Sequence, residues 1–484
     1  MADTLDPPEE QHSYGDVPAS SQKDTQDEIA TSVQPSSPVI LDEDPPLHRE
    51  NGEESTVAIE APVSSEVSGG DQERFYQVPT RTVSWLYRIL FGLAAIVVGV
   101  DNVTIKQLIL PAQMALISPD NKITAFTLVA SVGALAGVIA SPLIGAISDR
   151  TTWRWGRRRL WMIIGCVSVV IGLVIMGSAR TVGLVLLGEI IVQCAADTLL
   201  AVYSAVIPDQ IPPAQRASAS AFVGMSPLVG GVVGIALISR LTNVLNHPDT
   251  GYYILAAASV VLVGCFFTVF REEPLPRKLV KPFSLKALLS DFWVDPRQYP
   301  DFGFVWLSRC LAYLGYQLLI TYLLYYLQDV IHFNRADQGV TIFQICSTVM
   351  LLIAAIVGGI IADRTQRLKP FVSWAAVVMC IAMLGIAFIP AWPALLVAGI
   401  FLGLGFGLYL AVDQAIAVKV LPRASARGKD LGLINTAIFF PLIIGPLIGG
   451  FVLNVFHSYS ILFAISAIAF AFAAATILPV KSVR

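Results

Sequence analysis

The sequence predicts an all-α membrane protein of twelve transmembrane helices in two pseudo-symmetric six-helix bundles. Its composition, its count of long apolar segments and an internal repeat lead there. Hydrophobic residues make up 55% of the 484 positions and charged residues only 14%, against roughly 25% charged in a soluble domain. Such a chain has too few charges to cover a water-facing surface.

Twelve apolar segments follow one another, at about 85–113, 123–147, 160–178, 181–207, 218–240, 252–270, 302–329, 339–362, 371–390, 392–418, 431–454 and 458–479. Each is near or above the roughly 20 residues that a helix rising 1.5 Å per residue needs to cross about 30 Å of hydrocarbon. Residues 1–82 are different: rich in Pro, Ser, Asp, Glu and Gln, they hold about 18 of the 35 acidic residues. They have too little apolar surface to offset the entropy of ordering and are expected to form a disordered acidic tail. If that tail is cytoplasmic, the inner loops hold about 19 Lys and Arg and the outer loops about four, which predicts both termini inside. The basic, proline-bearing stretch 272–301 separates six segments from six. The expected domains are therefore the tail, an N-terminal bundle at 83–271, the linker at 272–301 and a C-terminal bundle at 302–484.

The repeat supports that division. Segment 2 ends in GAISDR (Gly145 to Arg150) and segment 8 in GIIADR (Gly359 to Arg364). IPPAQRAS (Ile211 to Ser218) after segment 4 is echoed by LPRASARG (Leu421 to Gly428) after segment 10. Two matches at offsets of about 214 and 210 residues, at equivalent helix ends, argue for a duplicated six-helix unit. In the longer run GAISDRTTWRWGRRR (Gly145 to Arg159), Gly145 is read as allowing close helix approach. Asp149 can accept from a facing helix N-terminus or a basic side chain, and Arg157, Arg158 and Arg159 can grip anionic lipid or acidic loops. Gly156, Asp363 and Arg364 complete the candidate gating motif. A pure topology determinant is the alternative.

This run resembles the loop 2–3 signature of the major facilitator superfamily. Its SDRT and GRRR elements are similar to those of sucrose and glycoside cation symporters and related actinobacterial carriers, with a looser likeness at PDQIPPAQRASASA (Pro208 to Ala221). Leu160 departs from that pattern, where sugar carriers usually have Pro. The resemblance implies the major facilitator fold, with helices 1, 4, 7 and 10 lining a central cavity.

Most charges inside the apolar segments fall on those four: Asp101 and Lys106, Glu189 and Asp197, Arg309, and Asp413. A charge at the bilayer centre costs about 2.5–3.5 kcal/mol on insertion scales, so each is a functional candidate, with structural ion pairing as the competing role. Depth along the helices pairs Lys106 with Glu189, at roughly 8 and 12 Å below the outer ends, and Arg309 with Asp413 near the inner ends. Asp101, Asp197, Glu189 and Asp413 are the proton-coupling candidates, with Asp101 and Asp197 foremost. Asn102, Gln107, Gln193, Gln317, Tyr409 and Gln414 offer hydrogen bonds to a hydroxylated solute, as does Tyr203. Tyr313, Tyr316 and Trp306 offer rings for stacking.

Enzymatic activity is not expected, since no nucleophile constellation, metal-ligand spacing or phosphate loop occurs. The six cysteines, Cys166, Cys194, Cys265, Cys310, Cys346 and Cys380, are read as buried thiols. No cofactor, metal or nucleic-acid partner is expected. The expected protein is a monomeric secondary transporter in the plasma membrane that works by alternating access. It takes a small solute, a sugar or glycoside, inward with a proton or sodium ion, and contacts membrane lipid. Export of drug-like or amphipathic metabolites is one alternative, and a transport-dead receptor or scaffold is another. From the composition of the tail, deleting residues 2–75 should leave the monomer peak and thermal midpoint of the detergent-extracted protein nearly unchanged. Collapse into aggregate would show that the tail packs on the body.

Overall fold

A computed structural model describes residues 79–480 apart from 81, 273, 275–297, 366 and 421–426. The expected tail, most of the linker and the LPRASARG echo therefore lie outside the described residues. Within them are twelve helices long and apolar enough to cross a membrane and no strand. In chain order they are α1 Trp85–Ile117, α2 Pro119–Ser148, α3 Arg157–Ser178, α4 Val182–Gln210, α5 Pro213–Leu241 and α6 Pro248–Val269. The remainder are α7 Pro300–Asp329, α8 Ala336–Thr365, α9 Leu368–Phe388, α10 Trp392–Lys419, α11 Arg427–Phe456 and α12 Tyr459–Thr476. Polar N-caps open several of them: the Ser84, Thr181 and Ser458 side chains each accept a backbone N–H of the first turn, which satisfies a donor that the helix leaves free. Outward-facing side chains such as Phe388, 79% exposed, and Trp374, 68% exposed, belong against lipid rather than water. Among the cysteines only Cys310 is buried and Cys265 is exposed, so the expectation of buried thiols holds for one of the six. An apolar segment buries only the face turned to its neighbours.

The packing repeats with a shift of six helices. In the first half α1 lies against α5 and α6, α4 against α2 and α3, and α3 against α6; in the second α7 lies against α11 and α12, α10 against α8 and α9, and α9 against α12. Across the halves α2 meets α11 and α5 meets α8, two contacts related by the same shift. This is the pseudo-symmetry that the duplicated motifs imply.

Helix α1 departs from the expected geometry. Its middle, Val100–Ile109, is π-helical, with Leu110 N–H donating to Ile105 C=O, and the helix then continues to Ile117. Pro111 explains the change, because a proline has no N–H to donate and its ring clashes with the carbonyl four residues back. Widening the preceding turns relieves that clash. Lys106 thus sits 11 residues from the helix end, roughly 16 Å at 1.5 Å per residue, deeper than its expected place.

Several polar contacts between the halves lie toward the face opposite the chain ends, here the far face. Lys122 of α2 pairs with Asp329 of α7 at 2.6 Å, whose other oxygen accepts from Tyr459 of its own half at 2.8 Å. Tyr325 donates to Pro111 C=O at 3.0 Å, the Thr127 and Tyr322 hydroxyls meet at 2.8 Å, and Ser239 donates to Asp337 at 2.8 Å. Toward the terminal face, which carries the chain ends, a cleft of about 290 Å³ opens between α2, α7 and α11, lined by Pro142, Trp306, Thr436 and Phe440 among others.

The Lys122–Asp329 pair is partly exposed, so it contributes about 0.2–1 kcal/mol. Replacing Asp329 with Asn should raise the rate at which an impermeant maleimide labels a Gln317→Cys reporter from the far side, by about 2- to 5-fold. An unchanged rate would mean that the pair does not hold that face shut.

Candidate functional site

Two polar constellations lie inside the membrane region, one in each half. In the first, Glu189, Gln193 and Asp197 stand four residues apart along α4 and so share one face. The glycines of α2 admit this stripe: a Cβ on Gly133 would lie 2.6 Å from Glu189 Cγ, and one on Gly137 would overlap Asp197 Oδ2 and lie 2.6 Å from Gln193 Cγ. Gly133 and Gly137 form a GxxxG spacing, which lets two helices approach closely in lipid. From α1, Lys106 Nζ donates to Gln193 Oε1 at 2.5 Å and to Asn102 Oδ1 at 3.3 Å. Gln193 Nε2 donates onward to Asp197 Oδ2 at 2.9 Å.

The expected Lys106–Glu189 pair is not formed. Lys106 lies deeper than segment boundaries indicated because α1 runs on past residue 113, which brings it level with Gln193, one turn below Glu189. Glu189 is 1% exposed, and its Oε2 has no hydrogen-bond partner. Asp101 lies in the π-helical segment, and its side chain is outside the described residues.

In the second half Arg309 and Asp413 meet at 2.8 Å, the pairing that their depths implied. The Arg309 side chain is 1% exposed and that of Asp413 4%. Losing one partner of such a pair strands a buried charge, at a cost of about 3–5 kcal/mol. One turn further along each helix stand Tyr313 and Tyr409, edge to face at 6.3 Å. Tyr316 stacks on Phe406 at 4.3 Å, and Phe406 lies 6.1 Å from Tyr409. Phe406, absent from the expected set, is the centre of this aromatic wall.

The remaining candidates scatter. Gln317 donates to Thr321 within its own helix at 2.9 Å, Gln107 is buried with Oε1 unpartnered, and Gln414 is exposed. Trp306 donates to Thr436 at 2.9 Å and lines the terminal cleft. Tyr203 is fully buried, edge-on to Phe91 at 5.9 Å, and belongs to the core rather than to a cavity.

At the terminal face the motif forms a clasp within the first half. Gly156, at φ 108°, caps α3, and Glu272, just past α6, accepts the backbone N–H groups of Arg158 and Arg159 at 2.7 and 3.3 Å. A carboxylate there satisfies free donors and complements the helix dipole. Burial pushes the Glu272 carboxyl above its ordinary value, while those N–H donors and the charges of Arg157 and Arg158 pull it back. Arg157 pairs with Asp209 at 2.7 Å and with Glu272 at 3.6 Å. Arg158 pairs with Asp149 at 2.6 Å and with Asp209 at 3.1 Å, and donates to Ser148 at 3.0 Å. Arg159 lies over the Phe267 ring at 4.0 Å.

Two expectations change here. Arg157 and Arg158 are occupied by acids of their own half, so of the two roles open to them they take the acidic loops rather than lipid. Among the described residues, Gly145 and Gly359 have nothing within 4 Å of a Cβ position, so neither glycine mediates a close approach in this arrangement. Arg150 donates to Ala146 C=O, and Asp363 and Arg364 stand exposed at the end of α8. Asp209 and Glu272 were missed as site residues; for Asp209 the signal was its place in the P-D-Q-I-P-P run.

The family model for the Major Facilitator Superfamily matches residues 91–370 and 305–483. The chain belongs to the Major Facilitator Superfamily. It is an integral membrane transporter and not an enzyme. It is similar to a general alpha-glucoside permease of Schizosaccharomyces pombe, 24% identical over 43% of this chain and 42% of that one. It is also similar to the inner membrane symporter YicJ of Escherichia coli, 27% identical over 36% and 40%. A sucrose transport protein of Oryza sativa is 39% identical over a short stretch, 10% of each chain. The matches span about two fifths or less of these relatives' lengths. Among solved structures, the nucleoside transporter NupG superposes with a TM-score of 0.62 at 15% identity, covering 81% of this chain and 98% of that one. A bacterial homolog of the lysosomal transporter Spinster superposes with 0.58, also at 15% identity, covering 82% and 95%. These superpositions establish the fold.

The contrast among the motif glycines is measurable. An Ala at position 156 would need φ 108° and would place Cβ 2.6 Å from Glu272 Oε2, so Gly156→Ala should destabilise the protein by about 1–3 kcal/mol and lower its thermal midpoint. Gly145→Ala and Gly359→Ala, with open space around them, should leave the midpoint unchanged or raise it. Equal losses at all three positions would refute the clasp geometry.

Proposed function

We propose that this transporter imports a sugar or glycoside across the plasma membrane together with a proton, with both chain ends in the cytoplasm. The buried acid stripe on α4 carries the reading: a superfamily member that moves its solute passively has no need of two carboxylates in the membrane beside a single lysine. Polar groups beside the stripe and the aromatic wall around Arg309–Asp413 provide the two kinds of surface that a sugar takes, hydrogen-bonding edges and flat faces. The glucoside and sucrose carriers to which the chain is similar support this class of solute. Sodium remains the alternative coupling ion.

The contacts between the halves support alternating access. With polar contacts at the far face and a cleft at the terminal face, the arrangement corresponds to release toward the cytoplasm. In the opposite state the terminal ends of α2 and α11 close, and the unobstructed Gly145 and Gly359 then gain neighbours. The Asp149 carboxylate, more than half exposed here, is free on one side to take part.

Vesicles containing the protein should be offered labelled sucrose, an alkyl glucoside, a nucleoside and an amphipathic drug-like cation, with and without an imposed proton gradient. The reading expects sucrose or the glucoside to accumulate only with the gradient. Asp197→Asn should lose accumulation while keeping exchange at equal pH, since exchange need not release the proton. Asp101→Asn and Glu189→Gln belong in the same series. Accumulation of the drug-like cation instead, or of sugar without regard to the gradient, would overturn the proposal.

A further inference from the structure

Of the contacts that join the halves, the one at Tyr322 differs in kind from the ion pair at the helix ends. The Tyr322 side chain is fully buried, and its hydroxyl meets both Pro446 C=O of α11, at 2.6 Å, and the Thr127 hydroxyl of α2, at 2.8 Å. A phenol has one proton and a carbonyl only accepts, so Tyr322 gives its proton to Pro446 and Thr127 gives its own to Tyr322. The second bond crosses between the halves. Thr127 has a fitted seat there: a Cβ on Gly450 of α11 would overlap its Oγ1 and lie 2.8 Å from its Cγ2 and 2.9 Å from its Cβ. Beside it Phe126, also fully buried, stands edge-on to Tyr322 and to Tyr325, each at 5.7 Å.

The seat belongs to a duplicated run that faces different neighbours in the two halves. Helix α11 reads GPLIGG (Gly445 to Gly450), and its equivalent α5 reads SPLVGG (Ser226 to Gly231). In α5 the last glycine serves its own half, since a Cβ on Gly231 would lie 2.6 Å from Val103 Cγ1 of α1. In α11 the last glycine receives a side chain of the other half. A β-branched threonine whose own Cβ is in contact cannot swing aside, so a methyl at position 450 would push α2 away from α11. Once those helices part at the far face, the same methyl meets no part of Thr127.

We propose that Thr127, seated on Gly450 and bonded to Tyr322, is the latch of the far face, and that position 450 thereby sets which face the carrier opens. On release Tyr322 keeps its bond to Pro446 within its own half, and the Thr127 hydroxyl can turn to a carbonyl of the preceding turn of α2. No charge is stranded by that step. The partly exposed Lys122–Asp329 pair adds little to the latch.

The inference rests on the alternating-access reading, and the experiment separates the two. The full-length protein in lipid vesicles is labelled with an impermeant maleimide at Gln317→Cys from the far side and, in a second preparation, at Ser141→Cys in the cleft from the terminal side, each rate being corrected for the reporter-free protein. Gly450→Ala should raise the far-side rate and lower the terminal-side rate, each by about fivefold or more, the population shift that overpacking of ordinary size produces. Exchanging the two residues, Thr127→Gly together with Gly450→Ala, should bring both rates back toward native. Gly231→Ala should lower the thermal midpoint and leave the ratio of the two rates unchanged. Thr127→Val keeps the shape but loses the donor, and should raise the far-side rate by about 2- to 5-fold, which covers a Gly450 variant that fails to fold. An unchanged far-side rate in Thr127→Val, or in folded Gly450→Ala, overturns the latch alone when the native rates move in opposite senses on adding solute. If the native rates do not respond to solute at any pH, the halves do not alternate, and the alternating-access reading falls with the latch.

Discussion

Inside the hydrocarbon there is no water to take the place of a missing partner, so a buried charge or amide without a counterpart on a neighbouring helix is costly. This constraint sorts the polar residues of the chain. Arg309 and Asp413 are buried against each other, Lys106 reaches from α1 to Gln193 of α4, and each set lies within one half. Nearer the helix ends, contacts join one half to the other: Lys122 and Asp329 pair where water reaches them, and Ser239 donates to Asp337 where both are buried.

The consequence is an uneven distribution of strength. Bonds within a half are buried and linked, as in the clasp, where Arg158 alone engages Asp149, Asp209 and Ser148. Bonds between the halves are mostly separate pairs, some as buried as Ser239–Asp337 and some as open as Lys122–Asp329. Linked bonds within each half suit the proposed movement of the two halves as units, which access from alternate sides requires. The glycines follow the same logic. Gly133 and Gly137 are filled by the acid stripe because α2 and α4 do not separate, whereas Gly145 stands open where the halves part.

Much of the fold was legible because lipid imposes a length and a hydropathy that few other constraints imitate. Twelve segments and their duplication could be read from length and spacing, and the Arg309–Asp413 pair from matching depth on helices that the family resemblance places around one cavity. The N-terminal site resisted for a local reason. Pro111 converts the turns before it to π-helix, and α1 runs on to Ile117; together these reset the depth and facing of Lys106, so that the partner inferred by counting residues was one turn wrong. The clasp was half visible. Gly156 and the arginines stand in the motif, but Asp209 and Glu272 come from helix ends more than 50 residues away in sequence; Asp209 at least stands in a P-D-Q-I-P-P run, whereas nothing around Glu272 marks it as a partner of that loop. The far-face contacts were invisible for the opposite reason, since a lysine or aspartate at a helix end is what any transmembrane segment carries.

The central claim is that the two halves pivot, opening one face as the other closes. It can be measured by placing pairs of spin labels in lipid-embedded protein, one pair at Trp155 and Arg367 on the terminal face and one at Asp120 and Asn334 on the far face. The account predicts that lowering the pH on addition of a transported solute changes the two distances in opposite senses, the terminal pair shortening as the far pair lengthens. Distances that stay fixed, or that lengthen and shorten together, would contradict it.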